Sequence, residues 1–210
     1  MLAAIVAANS TQHFSLPAPS LPSALRMQSY PAHLVKTITL ADGAAVTLRP
    51  IRIADADIEQ EFVRGLSDEA RYFRFMDMLR ELSPQMLKQM TDIDYHNQMA
   101  LIAVTRRSGK EVQIAVGRYV VFPNGTDCEF AIVVSDAWQR KGIAKALMQL
   151  LIEAARSRGL KKMVGEVLSS NSKMLHFVGA LGFHAASDPH NPRQLQVTKE
   201  LQVRESRNQA

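Results

Sequence analysis

The sequence predicts a single α+β domain: a mixed, mostly antiparallel central sheet flanked by helices, with a crossover near its C-terminal end. Three observations predict it. Apolar, β-branched runs follow one another over residues 99–134, separated only by Ser108-Gly109 and Asn124-Gly125. That is the pattern of an antiparallel meander. Helical periodicity occupies the segment before the meander. After it the period alternates helix, strand, helix, strand, so strands there are joined through a helix.

Bulk properties narrow the function classes. The 210 residues suffice for one domain and a tail. No apolar run nears the roughly 20 residues that span a bilayer, so no membrane role is expected. Met1 to Ala8 is apolar but lacks the basic region and small-residue site of a secretory signal. The lone cysteine, Cys128, has no internal disulfide partner, which fits a reducing cytoplasm. A net charge of +5 favours an anionic ligand. With 6% aromatic residues and no stacking platform among them, nucleic acid is not the expected partner.

The elements follow in order. Residues 1–34 hold Pro17, Pro19, Pro22 and Pro31 and one charged side chain, Arg26, and read as a flexible tail. Residues 35–203 form the domain, and 204–210 a short C-terminal tail. Val35 to Leu40 and Ala44 to Ile51 read as strands around an Asp42-Gly43 turn. Ala54 to Gly65 is helical, with Ile58, Phe62 and Val63 on one side and Gly65 at its stop. A short helix follows Ser67 and ends at Arg74. Ser83-Pro84 opens another to Thr91. Arg71, Arg74 and Arg80 read as a solvated face. Met99 to Thr105, Val112 to Phe122 and Cys128 to Val134 are strands. A helix runs to Arg158 before the Gly159 stop. Then come a strand at Met163 to Leu168, a helix from Asn171 to Leu181, and a last strand from Gln194 to Leu201.

The chemistry concentrates at Ser135 to Leu147, SDAWQRKGIAKAL, where a strand passes through a basic turn into the best-patterned helix of the chain. Ile143, Ala146, Leu147, Leu150, Leu151 and Ala154 give that helix one apolar face. Its first N–H groups lack intrahelical partners and carry about half a positive charge. Gly142 keeps a Cβ away from them, and Arg140, Lys141 and Lys145 add cations. Such a turn suits phosphate or pyrophosphate. It matches neither G-x-x-x-x-G-K-[ST] nor G-x-G-x-x-G. By itself it also fits an ordinary basic helix start, so its neighbours must decide.

Gln139-x-x-Gly142-x-Ala144 resembles the Q/R-x-x-G-x-G/A loop of the GNAT superfamily of N-acetyltransferases, which holds the pyrophosphate of acetyl-CoA. Asn171 to Phe183, NSKMLHFVGALGF, resembles the family's second signature: an Asn-initiated helix closed by Leu-Gly-Phe. Tyr30 to Phe75, with DYHNQMALIAV at Asp94 to Val104, is similar to the acetyltransferase domain of bacterial protein-lysine acetyltransferases. The resemblance covers about residues 30–201. It implies a GNAT fold, acetyl-CoA as cosubstrate bound at a splay between two strands, and transfer to a primary amine, foremost a protein lysine. A small-molecule amine acceptor and a catalytically silent acyl-CoA-binding module remain as alternatives. Many such relatives carry a regulatory domain ahead of the catalytic one; the Pro-rich segment stands there instead, so their regulation is not carried over, and oligomeric state stays open.

The resemblance also assigns roles. Gln139, Arg140, Lys141, Gly142, Ile143 and Ala144 would hold the pyrophosphate. Val133 and Val134 would pair with the pantetheine arm, one N–H facing the thioester oxygen. Asn171 would hydrogen-bond the arm. A lysine amine has an ordinary pKa of about 10.4, so presenting it neutral at pH 7 costs about 4.6 kcal/mol. Glu129 is the candidate general base: it is the charged residue in the apolar strand CEFAIVV, on one face with Ala131 and Val133. Family members often carry a Tyr as general acid where this chain has Val178. Cys128 is a possible nucleophile but reads better as packing. His176, His184 and His190 lack metal-ligand spacing, and no metal is expected.

Overall fold

A computed structural model describes residues 3–4, 29–75, 80–188 and 191–201. Most of the expected N-terminal tail, the C-terminal tail and His190 lie outside them. The strands are β1 (Ala3–Ala4), β2 (Lys36–Thr39), β3 (Ala45–Pro50), β4 (Gln98–Arg107), β5 (Lys110–Val121), β6 (Asp127–Val134), β7 (Lys162–Leu168), β8 (His184–Asp188) and β9 (Asn191–Glu200). The helices are α1 (Ala56–Arg64), α2 (Asp68–Phe75), α3 (Pro84–Thr91), α4 (Ile143–Ser157) and α5 (Ser172–Ala180). The expected order is present, with two additions. β8 is a short polar strand whose sequence, HAASD, lacks the alternation that would have shown it. β1 lies inside the segment read as a tail.

One sheet carries the strands in the order β2-β3-β4-β5-β6-β7-β9-β8, with β1 also pairing β6. All pairings are antiparallel except β6 with β7. That parallel pair is joined by α4, the crossover expected from the sequence. It is also short. Asp127, Cys128 and Glu129 pair with Lys162, Met163 and Val164, and beyond Glu129 no β6 residue pairs with β7. The strands part there, and β1 sits in the opening with Ala3 opposite Val133 and Ala4 opposite Ile132.

Alternation along the strands divides the core into two layers. Cys128, Phe130, Ile132 and Val134 face the large cluster under α4 and α5. Val133 joins Val116, Ile102 and Ile51 beneath α1 to α3. On α4 the buried stripe is Ile143, Ala144, Leu147, Met148, Leu151, Ile152 and Ala155. Ala146 and Leu150, expected on this face, lie at its edge. A Cβ on Gly165 would come within 2.6 Å of Phe130, so β7 needs glycine where that ring stacks against Phe183. Gly65 ends α1 with φ −78°, an ordinary helical value, so the stop does not use glycine's left-handed freedom. α1 is anchored instead by Arg49, whose guanidinium donates to both oxygens of Asp55 at 2.7 and 2.8 Å.

Candidate active site

The loop between β6 and α4 has an unusual backbone. Arg140 has φ +59° and Gly142 φ +85°, both in the left-handed region. For Arg140 this is a strained conformation of the kind found at functional sites. Gly142 occupies the N-cap position of α4 without a side-chain cap, and no atom would lie within 4 Å of a Cβ placed there. The first intrahelical bond runs from Ala146 N–H to Gly142 O, so the preceding amides have no turn above them to accept. Curled backbone and helix dipole together make an anion cradle. A cleft of about 1020 Å³ opens beside it, walled by Arg140 and Lys141 on the loop and by Lys173, His176 and Phe177 on α5.

The loop's side chains serve mostly to shape it. Gln139 Nε2 donates to Val134 O at 3.1 Å and to Asp136 Oδ1 at 3.2 Å, stapling the loop to the strand end. Lys141 Nζ donates to Asp42 at 2.6 Å and lies 5.1 Å from the centre of the Trp138 ring. That hydrogen bond holds the Asp42 carboxyl below the usual carboxylate range. The lysine is thus tethered, whereas Arg140 and Lys145 are exposed. Trp138 is half-buried against the core and, with Val134 and Phe177, lines a recess of about 150 Å³ next to Gly142. Asn171 is buried and its Oδ1 accepts from Met174 N–H at 3.1 Å as the cap of α5. Its contact with a cofactor would come from the amide nitrogen.

The splay refines the expectation for Val133 and Val134. Ser135 N–H donates to Ile114 O, and Phe122 N–H to Asp127 O. With alternation, the odd-numbered β6 residues turn their backbone groups to β5 and the even-numbered ones to the opening. Val134 therefore presents its amide to the splay. Val133 does not, and contributes its side chain to the face under α1–α3. Ile132, which sequence reasoning missed, presents its amide beside Val134. Glu129 is the last β6 residue paired with β7, so it marks the vertex of the opening and Val134 its mouth. Five residues of strand separate them, about 16 Å.

Around Glu129 the face beneath α1–α3 is charged. Glu59 on α1, Arg74 on α2, and Gln113 and Arg118 on β5 are all buried. Arg118 Nη2 lies 3.8 Å from Glu59 Oε1, and Gln113 Nε2 donates to the other Glu59 oxygen. Arg74 does not stand on a solvated face, as the sequence reading had it: it is 5% exposed, because it falls four residues after buried Ala70 on the inner side of α2. Arg71, beside it, ion-pairs with Asp68, and Arg80 is exposed. Cys128 is fully buried on the opposite face. Burial, with a smaller effect from Asp127, pushes its thiol up to about 12, so it supplies no thiolate at neutral pH. Among the described residues no three metal-ligating side chains cluster, and no helix is long and apolar enough to cross a membrane.

A mostly antiparallel sheet that opens between two parallel strands, with an anion cradle at the start of the connecting helix, defines an acyl-CoA-dependent acyltransferase. The model of the GNAT acetyltransferase family matches residues 65–183, and this chain belongs to that family. It is 34% identical to acetyltransferase PA5475 of Pseudomonas aeruginosa over 157 residues, 75% of this chain and 84% of that protein. It is 29% identical to acetyltransferase Pat of Mycolicibacterium smegmatis over 136 residues, 64% of this chain but 40% of that protein's length. The structure resembles the GNAT domain of S. lividans PAT with a TM-score of 0.74 at 29% identity, covering 82% of this chain and all of that domain. The protein is an acyltransferase, and acetyl-CoA is its cosubstrate.

Proposed function

We propose that this enzyme acetylates lysine side chains of proteins by direct attack, with Glu129 as general base. The observation that carries the reading is the position of Glu129 at the vertex of the splay, on the face beneath helices α1–α3. The likeness to the S. lividans PAT domain and the quoted stretches at Tyr30 to Phe75 and Asp94 to Val104 support the protein-lysine branch.

The residues fit the cosubstrate. The cradle at Gly142 takes the pyrophosphate, with Arg140 and Lys145 adding charge. The opening takes the extended arm; that the β6 edge can hold an extended chain is seen in its pairing with Ala3–Ala4. The Val134 or Ile132 N–H polarises the thioester oxygen, an effect worth several kcal/mol when donors are preorganised. Glu129 accepts a proton from the lysine ammonium, directly or through water. The neutral nitrogen then bonds to the acetyl carbon, the carbon–sulfur bond breaks, and the departing thiolate takes the second nitrogen proton, so that the products are the amide and the CoA thiol. A CoA thiol has an ordinary pKa of about 8.5, so this leaving group needs no strong acid, consistent with Val178 in place of a tyrosine.

Incubating cell lysate with labelled acetyl-CoA and the wild-type enzyme, then repeating with Glu129→Gln, tests the proposal. Labelled protein lysines are expected with the wild type, and at least a hundredfold slower labelling with the variant at unchanged acetyl-CoA affinity. Label confined to small amines contradicts the acceptor; full turnover by the variant contradicts the base.

A further inference from the structure

Two guanidiniums and one carboxylate lie together, all but sealed from water, on the face that bears Glu129. Arg74 and Arg118 are 5% and 9% exposed, and Glu59 is 2% exposed. Arg118 takes Glu59 as its ion-pair partner and donates to Met90 O at 3.4 Å. That leaves one positive charge in excess within a low-dielectric layer, where an uncompensated ion costs several kcal/mol. Arg74 lies on α2, which packs against β6, and its guanidinium is 4.9 Å from the centre of the Phe75 ring. Burial and the repulsion of Arg118 hold Arg74 down to about 9, against the pull of Glu59 and Glu129. It remains a cation at neutral pH.

We propose that Arg74 is the positioning residue that fixes Glu129 as a carboxylate at the vertex of the splay. The inference rests on the reading of Glu129 as general base. The charge arithmetic closes with it: Glu59 balances Arg118, and Glu129 balances Arg74. Other charged groups share this face. Glu166 lies two residues beyond Val164 on β7, and Asp127 and Lys162 form the row below Glu129. Of these, Lys162 is drawn 3.7 Å from Glu200 and Asp127 is bonded into the turn with Asn124. Arg74 thereby sets the lower pH limit of catalysis. A neighbouring arginine typically lowers a carboxylate pKa by about one to three units. Glu129 then stays ionised, ready to take a proton, at pH values where it would otherwise be protonated.

The test is an NMR titration of the full chain, following the Glu129 side-chain carboxyl carbon and the Arg74 Nε–H. In the wild type the two signals are expected to share one midpoint, which needs no variant to fold; separate midpoints overturn the pairing. In Arg74→Met the carboxyl midpoint is expected to rise by about one to three units, and Arg74→Lys should restore most of it. An unmoved midpoint overturns the proposal. The acid limb of kcat/KM, measured with acetyl-CoA and a lysine peptide library, separates the two claims. If the carboxyl midpoint moves and the limb does not, Arg74 holds Glu129 but Glu129 is not the base. If the limb moves and the midpoint does not, the positioning role fails.

Discussion

Cys128 shows how one residue's surroundings decide between two chemistries. A cysteine beside the candidate base invites the idea of an acetyl-cysteine intermediate. Burial instead makes it core, pressed against the α4 layer with its proton held up to about 12. An unfolded thiol releases its proton near 8.5. Between those values the folded state binds more protons than the unfolded one, so stability falls as pH rises through this window. Cys128→Ala is therefore expected to leave kcat/KM within about twofold of the wild type and to flatten the decline of Tm between pH 8 and 10. A large loss of turnover in a folded variant would restore the nucleophile. Neighbouring residues show what a sequence discloses. Glu129 stands out in the sequence as a candidate because a charge in CEFAIVV breaks an apolar strand. Arg74 was not, since its inward position depends on the α2 phase, which a helix of 8 residues barely defines. Gln139 and Lys141 were legible as loop residues. Their partners, Val134 and the distant Asp42, come from tertiary structure alone.

Among elements, α4 and its entry loop were readable almost to the residue, because a strand, a glycine turn and an i, i+3, i+4 stripe are all local signals. β8 was hidden because its polar sequence owes its conformation to pairing with β9. β1 was hidden because two alanines in an apolar stretch carry no strand pattern of their own, and its pairing bears on the proposed binding mode. In the proposed binding mode the cosubstrate's arm takes the β6 edge on which Ala3–Ala4 lies, so binding would displace that pairing. Each hydrogen bond of such a pairing contributes about 0.5–1.5 kcal/mol. The double substitution Ala3→Pro, Ala4→Pro removes the N–H that Ala4 turns toward Ile132. The Kd for acetyl-CoA should then drop by about threefold to tenfold in an equilibrium titration. An unchanged Kd would show that β1 and the arm do not compete.

Across the whole molecule, the sheet supplies the site by failing to close. The eight strands β2 to β9 could continue into a seamless surface, but β6 and β7 stay together for only three residue pairs and then separate. The cradle stands at the wide end, because the chain must leave β6 there to begin the crossover helix. Glu129 stands at the narrow end, over the layer formed by α1–α3. A single topological feature thus places the cofactor loop and the proposed base at opposite ends of one opening. The fold class was legible because the order of strands and helices constrains it. The splay was not, since its extent depends on where pairing stops. The central claim is that the amides around Gly142 hold acetyl-CoA, and calorimetric titration of acetyl-CoA into the 210-residue chain tests it most directly. The expected result is saturable one-to-one binding, weakened about tenfold or more by Gly142→Val, whose β-branched side chain resists φ +85°. Absence of binding heat at several temperatures from folded wild type, or equal binding by the folded variant, would contradict it.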